Sequence, residues 1–252
     1  MAMWKRNPLK TSWIDTKSME YHSMQWEVPK ESTKNLLQIL NPWLEKSQKV
    51  VDIGCGAGAV TAYLAKSHPD VAFLGIDKEE PLVRFATAKS KLLRIKNLSF
   101  KKGDILKLKR ENGVEGVILV QTISHLSDFL QPMNNIFKKI EPKWIALTGF
   151  FYNGEISLYT IVKEHKKDRL VYYNTYSTNI FDDFCNNHGY KMVVNETFDI
   201  AIDLEKPYDP DIMGSYTEKI TKSDGSIHRL QISGPFLQNW RTIIVEKINY
   251  KY

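Results

Sequence analysis

Short apolar runs and amphipathic stretches alternate along most of this chain. Val50-Val51-Asp52-Ile53, Val71-Ala72-Phe73-Leu74-Gly75-Ile76-Asp77, Val117-Ile118-Leu119-Val120-Gln121 and the span Lys143–Phe150 are nearly continuous in apolar residues. Runs of that length, bounded by turn residues, predict strands buried on both faces, as in a parallel sheet. Leu98–Ile105 is a weaker run that ends in Gly103-Asp104 and predicts one more strand. Leu36, Leu37 and Leu40 recur at helical spacing in Ser32–Leu44, behind the helix-start signal Pro29 and Glu31-Ser32-Thr33. Tyr176–Gly189 predicts a later helix, Tyr190–Ile200 a sixth strand and Arg241–Lys247 the last. Strands alternating with helices from Lys49 to about Phe150 predict an α/β fold.

Two stretches interrupt the alternation. Gly154–Asn174 is rich in lysine and aromatic residues, has helical character, and predicts an insertion above the sheet. Ala201–Trp240 is longer than a hairpin turn requires and carries Pro207, Tyr208, Pro210, Met213, Tyr216, His228 and Arg229. Residues 1–28 mix Trp4, Trp13, Tyr21, His22 and Trp26 with polar positions, which predicts an N-terminal lid. Residues 29–252 then make one domain with insertions near 151–175 and 201–240, a length sufficient for a sizeable core.

Composition narrows the class. Hydrophobic residues at 42% and charged residues at 25% are those of an ordinary globular chain, which argues against wholesale disorder. Cys55 and Cys185 are the only cysteines, so neither a disulfide framework nor a cysteine-rich zinc site can be built, and no metal is expected. No apolar run reaches a membrane span and Met1-Ala2-Met3-Trp4-Lys5-Arg6 lacks the apolar core of a signal peptide, so the expected location is cytoplasmic. The net charge of +6 and pI near 9.0 raise nucleic acid as a partner. Yet the basic residues, densest around Lys89–Arg110 and Lys138–Lys143, do not gather into one tract, and neither an Asn-Pro-Pro-Tyr nor a Pro-Cys motif is present. An RNA substrate is therefore the second choice, because an anionic small molecule would use the same field.

The chemistry concentrates after the first strand. Val50-Val51-Asp52-Ile53-Gly54-Cys55-Gly56-Ala57-Gly58-Ala59-Val60 delivers a strand to a glycine turn and then to a helix. Glycines let a backbone approach a ligand, and the helix offers unpaired N–H groups and a positive dipole end. Gly54-x-Gly56-x-x-Ala59 also fits the loose dinucleotide fingerprint. Asp52 separates the two readings, since a carboxylate there repels a pyrophosphate and suits the ammonium and sulfonium of S-adenosylmethionine. Asp77 closes the second strand 25 positions after Asp52, near the offset at which such folds place a ribose-binding acid.

In this register the segment resembles motif I of the class I S-adenosylmethionine-dependent methyltransferases. The resemblance implies a Rossmann-like, seven-stranded, mostly parallel sheet with helices on both faces and an antiparallel last strand. It implies that Asp52, Gly54, Cys55 (through its backbone), Gly56, Gly58, Asp77, Lys78, Asp104, Ile105 and Gln121 surround the cofactor. Asp104 falls at the adenine-contacting position, and Gln121 stands where the family often has Asp or Asn near the methionine end. The Gly234-Pro235 step and terminal strand look like the tail of the small-molecule enzymes of this superfamily.

Methyl transfer to oxygen requires an in-line acceptor, exclusion of water and, for a hydroxyl, removal of a proton. His125 follows the fourth strand at the sheet's carboxyl edge and is the first choice of base; His22, in Tyr21-His22-Ser23-Met24-Gln25-Trp26, is the second. Tyr21, Gln25, Trp26 and Tyr152 are expected to contact the acceptor, the aromatic rings by offering their faces to a cation. His68, His165 and His188 receive no role. The expected function is methyl transfer to a small-molecule hydroxyl, and a faint likeness to enzymes of surface-polysaccharide synthesis implies a sugar or phosphate-linked acceptor. A non-catalytic cofactor-binding partner protein is the third reading. Nothing in the pattern specifies an oligomer.

Overall fold

The computed structural model describes residues 22–166, 168–206, 208, 215–233, 236–237 and 240–248. Helix α1 (Glu31–Leu44) leads into strand β1 (Lys49–Ile53), followed by α2 (Ala59–Ser67), β2 (Ala72–Asp77), α3 (Glu80–Leu92) and β3 (Leu98–Lys102). β4 (Gly116–Val120), α4 (Leu130–Lys139) and β5 (Trp144–Tyr152) continue the alternation. A hairpin of β6 (Ile161–Glu164) and β7 (Arg169–Tyr172) and a short β8 (Tyr176–Ser177) precede α5 (Thr178–Asn186) and β9 (Tyr190–Thr197). β10 (Ser215–Thr221), β11 (Ile227–Ser233) and β12 (Phe236–Leu237) come before the final β13 (Trp240–Lys247).

The main sheet runs β3-β2-β1-β4-β5-β13-β9, with β8 pairing β5 off that path. β1, β2, β3, β4 and β5 pair in parallel, whereas β13 lies antiparallel to both β5 and β9. The expected seven-stranded, mostly parallel sheet with its last strand antiparallel is thus present, with β8 added at its side. Side chains alternate between the two faces with the strand period of two. Val51, Ile53, Val117, Leu119, Ile145, Leu147, Ile243 and Val245 pack with Met133, Ile136 and Phe137 of α4 and Phe181 and Cys185 of α5. Val50, Ile118, Trp144, Ala146 and Ile244 pack on the opposite face with Leu36, Leu40 and Leu44 of α1 and Ala62, Leu64 and Ala65 of α2. By that alternation Asp52 shares the α1 face with Val50.

The helical expectation for Gly154–Asn174 is corrected: β6 and β7 form an antiparallel pair from Ile161↔Tyr172 to Glu164↔Arg169. Thr160, Ile161, Val162 and Val171 are β-branched, and with Tyr172 and Tyr173 they favour a pleated, half-buried surface over a helix. A charged pair ties the two strands, Arg169 Nη2 donating to Glu164 Oε1 at 2.9 Å. A bridge between Leu158 and Thr175 closes the base of the hairpin. Within 201–240, β10, β11 and β12 form a separate three-stranded antiparallel sheet. Pro207, Pro210, Met213, Gly234 and Pro235 lie outside the described residues.

Candidate active site

β1 ends at Ile53 and the chain turns through Gly54, Gly56 and Gly58 with φ of +77°, +55° and +81°. The turn is pinned to the neighbouring strand, because the N–H groups of Gly54 and Cys55 both donate to Ile76 O, at 2.7 and 3.2 Å. Gly58 admits no side chain: a Cβ there would stand 2.5 Å from Phe100 Cζ, which packs beneath the loop. Gly56 has open space where its Cβ would be, so its positive φ, which L residues adopt only with strain, is the reason for glycine.

Asp52 is buried at 1% exposure and its Oδ2 accepts from Thr61 Oγ1 of α2 at 2.5 Å. Its other oxygen, Oδ1, has no hydrogen-bond partner. Burial raises the carboxyl's pKa to about 7, the Thr61 hydrogen bond pulls the other way, and the charge of Asp77 adds a smaller upward push. Gln121, just past β4, has a left-handed backbone at φ +54°, and neither its amide oxygen nor its nitrogen has a partner. That strain and those unpaired atoms sit on one cleft of about 150 Å³, which is lined by Asp52, Gly54, Cys55, Gly56, Gly58 and Gln121 among the expected cofactor residues. His22 and Gln25 line it from the N-terminal side.

Other expected residues lie next to the cleft or away from it. Asp77 sits under the loop, Oδ2 accepting from Gly56 N at 2.8 Å and Oδ1 from Glu79 N at 2.9 Å. Lys78 beside it is exposed. Asp104 caps the 3-10 turn that follows β3 by accepting from Leu106 N at 2.9 Å, and the side chain of Ile105 is buried in the core on the α4 face. Asp77, Lys78, Asp104 and Ile105 do not line the cleft. His125 is half-buried outside it: Nδ1 bonds Tyr172 O at 2.9 Å and the ring meets Tyr173 edge-on at 4.8 Å. Burial lowers its pKa, partly countered by that carbonyl. Trp26 packs in the core instead of presenting a free ring face; its Nε1 donates to Ala57 O at 2.8 Å, so it anchors the N-terminal segment to the glycine turn. Tyr152 is half-exposed at the end of β5 and away from the cleft, and Tyr21 lies outside the described residues.

The sequence reading missed five contributors. Thr61 holds Asp52 from a buried position on α2, where its only sequence signal was a hydroxyl on an otherwise apolar helical face. Lys30, Ser32 and Thr33 at the start of α1 line the cleft, though their pattern marked only a helix start. Trp240 lines it from β13 with its indole Nε1 buried and unpaired, although the sequence showed it only as part of the last insertion. Among the described residues, no group of three His, Cys, Asp or Glu is placed to hold a metal ion. No helix of the described residues is long and apolar enough to cross a membrane.

A family model of the methyltransferase domain matches residues 44–195, more than half of the chain. The chain therefore belongs to this family, and the fold and loop place it among the class I S-adenosylmethionine-dependent methyltransferases. A malonyl-[acyl-carrier protein] O-methyltransferase of Bacillus cereus is 28% identical over 126 residues, covering 49% of this chain and 46% of that protein. A trans-aconitate 2-methyltransferase of Deinococcus radiodurans is 36% identical over 89 residues, covering 35% and 32%. The chain thus spans half or less of the length of these curated relatives. Magnesium protoporphyrin IX methyltransferase of Synechocystis PCC 6803, solved with S-adenosylhomocysteine, shares the fold at a TM-score of 0.56 and 12% identity, covering 94% of this chain and 89% of that one.

The cofactor of this family is S-adenosylmethionine, and the residues present fit it. A buried carboxylate oxygen with no partner, Asp52 Oδ1, faces the same cleft as the open backbone of Gly56. The open backbone admits a ligand close to the turn, and the carboxylate suits one with a cationic end and opposes a pyrophosphate.

Proposed function

We propose that the protein transfers the methyl group of S-adenosylmethionine to an oxygen of a small-molecule acceptor. The unpaired Oδ1 of Asp52 on the glycine-turn cleft carries this reading, because the ammonium of the cofactor would complete a buried carboxylate so placed. When bound, the cofactor supplies a methyl group on an electron-poor sulfonium. Asp52 and Gln121 then orient its ammonium, Asp77 its ribose hydroxyls, and Asp104 with the backbone at Ile105 its adenine. Of the expected lid, His22 and Gln25 reach the cleft from the N-terminal segment and Trp240 from the end of the 201–240 insertion, while residues 1–21 lie outside the described residues.

The first expectation, a sugar or phosphate-linked hydroxyl, requires a base. His22 stands on the cleft, while His125 donates Nδ1–H to Tyr172 O and so keeps Nε2 as its basic nitrogen. The names of the relatives, a malonyl-[acyl-carrier protein] and a trans-aconitate methyltransferase, support a small acyl or acid acceptor over a nucleic acid. Calorimetry with S-adenosylhomocysteine and NAD tests the cofactor. S-adenosylhomocysteine should bind and Asp77→Ala should weaken it by about 1.5–3 kcal/mol; tighter binding of NAD would overturn the assignment. For a hydroxyl acceptor, removal of the histidine that acts as base lowers kcat by about 10²–10⁴ at unchanged cofactor affinity.

A further inference from the structure

The densest basic run of the chain takes no part in the cleft. From Pro81 to Gly103 the sequence carries seven cations and no acid. Lys89 reaches Glu27 at 3.7 Å, Lys102 reaches Glu80 at 3.1 Å, and Lys101 pairs with Glu111. Arg84, Lys91, Arg94 and Lys96 are exposed and form no ion pair among the described residues. Three of them, Lys91, Arg94 and Lys96, flank the end of α3, where Leu92 and Leu93 are 75% and 42% exposed. At that exposure Leu92 projects from the surface, and the two leucines form an apolar tip among cations.

The way α3 stops keeps one of those cations in place. Arg94 N donates to Lys91 O at 3.0 Å and Ile95 N to Ser90 O at 3.1 Å, the paired bonds of a Schellman stop. Such a stop puts a left-handed backbone at its turning residue, and Arg94 has φ +52°. Glycine fills this position freely, whereas an arginine there is strained. Ile95 then turns inward onto the α1-face core, so the fold uses the stop but not the arginine side chain. The strain held at Arg94 brings no gain inside the fold.

A projecting apolar tip fits a rigid partner only through a matching pocket, but a bilayer interface deforms around it. Anionic headgroups answer the cations, and the acyl boundary takes up the leucines. α3 leaves the end of β2 and leads back to the start of β3, which runs parallel to β2. Its last turn therefore lies at the amino ends of the strands, while the cleft lies at their carboxyl ends. We propose that the end of α3 seats the protein on an anionic lipid surface, with Leu92 and Leu93 entering the interface and Lys91, Arg94 and Lys96 holding the headgroups. The cleft then faces away from the bilayer and stays open to a soluble acceptor. Attachment of this kind requires no spanning helix. Nucleic acid would answer the charges but leave the leucines uncovered.

The full chain is sedimented with vesicles of phosphatidylglycerol and phosphatidylcholine in equal parts, and with vesicles of phosphatidylcholine alone. It should bind the anionic vesicles and not the neutral ones, and rising salt should weaken the binding. The double variant Leu92→Ser, Leu93→Ser should lose about tenfold in affinity with every charge in place. Arg94→Gly should lose about fivefold, while its melting temperature stays the same or rises because the strain is relieved. Failure to bind the anionic vesicles, or binding that ignores the leucines, overturns the proposal. A melting temperature lowered by Arg94→Gly would make that arginine part of the fold and count equally against it. Structured RNA bound more tightly than the anionic vesicles, with no loss in the leucine variant, would give the surface to nucleic acid instead. S-adenosylhomocysteine affinity should be the same in wild type and variants, and a loss there would tie the tip to the cofactor site and overturn its role as an anchor.

Discussion

Two groups of buried polar side chains stand near the carboxyl ends of the central strands, and they differ in how they are satisfied. Around the turn after β4, Asn174 Nδ2 donates to Leu126 O at 2.8 Å and Ser127 O at 3.2 Å, and its Oδ1 accepts from Thr160 N at 2.9 Å. Tyr176 donates to Ile123 O, and Ser124 Oγ accepts from Phe150 N at 3.1 Å. These contacts stitch the β6–β7 hairpin to the turn and complete one another. On the cleft side, Asp52, Gln121 and Trp240 each keep a buried atom unpaired. The first group spends its polarity on holding the fold, and the second keeps it for a ligand.

The contrast makes opposite demands of stability and binding. Asn174→Ala should have the largest effect, since it removes the partner of two carbonyls and an amide at once. Unfolding in urea should show a loss of about 3 kcal/mol, with S-adenosylhomocysteine affinity of the remaining folded protein little changed. A loss below about 1 kcal/mol would mean that the stitching is redundant.

Asp52→Asn should reverse that signature. Removing the carboxylate charge should weaken S-adenosylhomocysteine by about 2 kcal/mol, yet stabilise the cofactor-free protein at pH 8. The sign follows from burial, which raises the folded pKa of Asp52 from the ordinary carboxylate range to about 7. The protonated form's advantage is complete below the unfolded value of about 3.9 and is lost as pH rises through 7. Melting temperatures of the wild type should therefore fall between pH 5 and pH 8 more than those of Asp52→Asn, and cofactor affinity should rise over the same interval. A wild type and variant with parallel pH profiles would contradict the buried, unpaired carboxylate.

Thr61→Val should give the smallest effect. It removes the hydroxyl that holds Asp52 Oδ2 and keeps the shape, so calorimetry should show a loss of about 1 kcal/mol in cofactor binding. No change would assign Thr61 to packing alone.

Much of this was legible along the chain. The apolar runs at Val50–Ile53, Val117–Val120 and Lys143–Phe150 could only be strands covered on both faces, and a glycine turn preceded by an acid could only follow the first of them. The hairpin at 161–172 was not legible, because its lysines and aromatics carry no helical or strand period strong enough to outweigh tertiary contacts such as those of Asn174. Trp26 shows the same limit: an aromatic beside a histidine has no marker distinguishing a ring that packs under a glycine turn from one that faces a substrate.

The sequence by itself determined the strand and helix alternation, the glycine turn and the acids at or near the carboxyl ends of the first three strands, since these follow from local periodicity and backbone conformation. Tertiary structure alone decided which polar atoms are left unpaired. Gln121 and Trp240 lie far apart in the chain, and only the order β4-β5-β13 brings them to one cleft with Asp52. The same folding step turned Trp26 inward and gave His125 Nδ1 to Tyr172 O. Whether a hydrogen-bonding group is paired depends on what surrounds it in space, and neighbours in space are not encoded by neighbours in sequence.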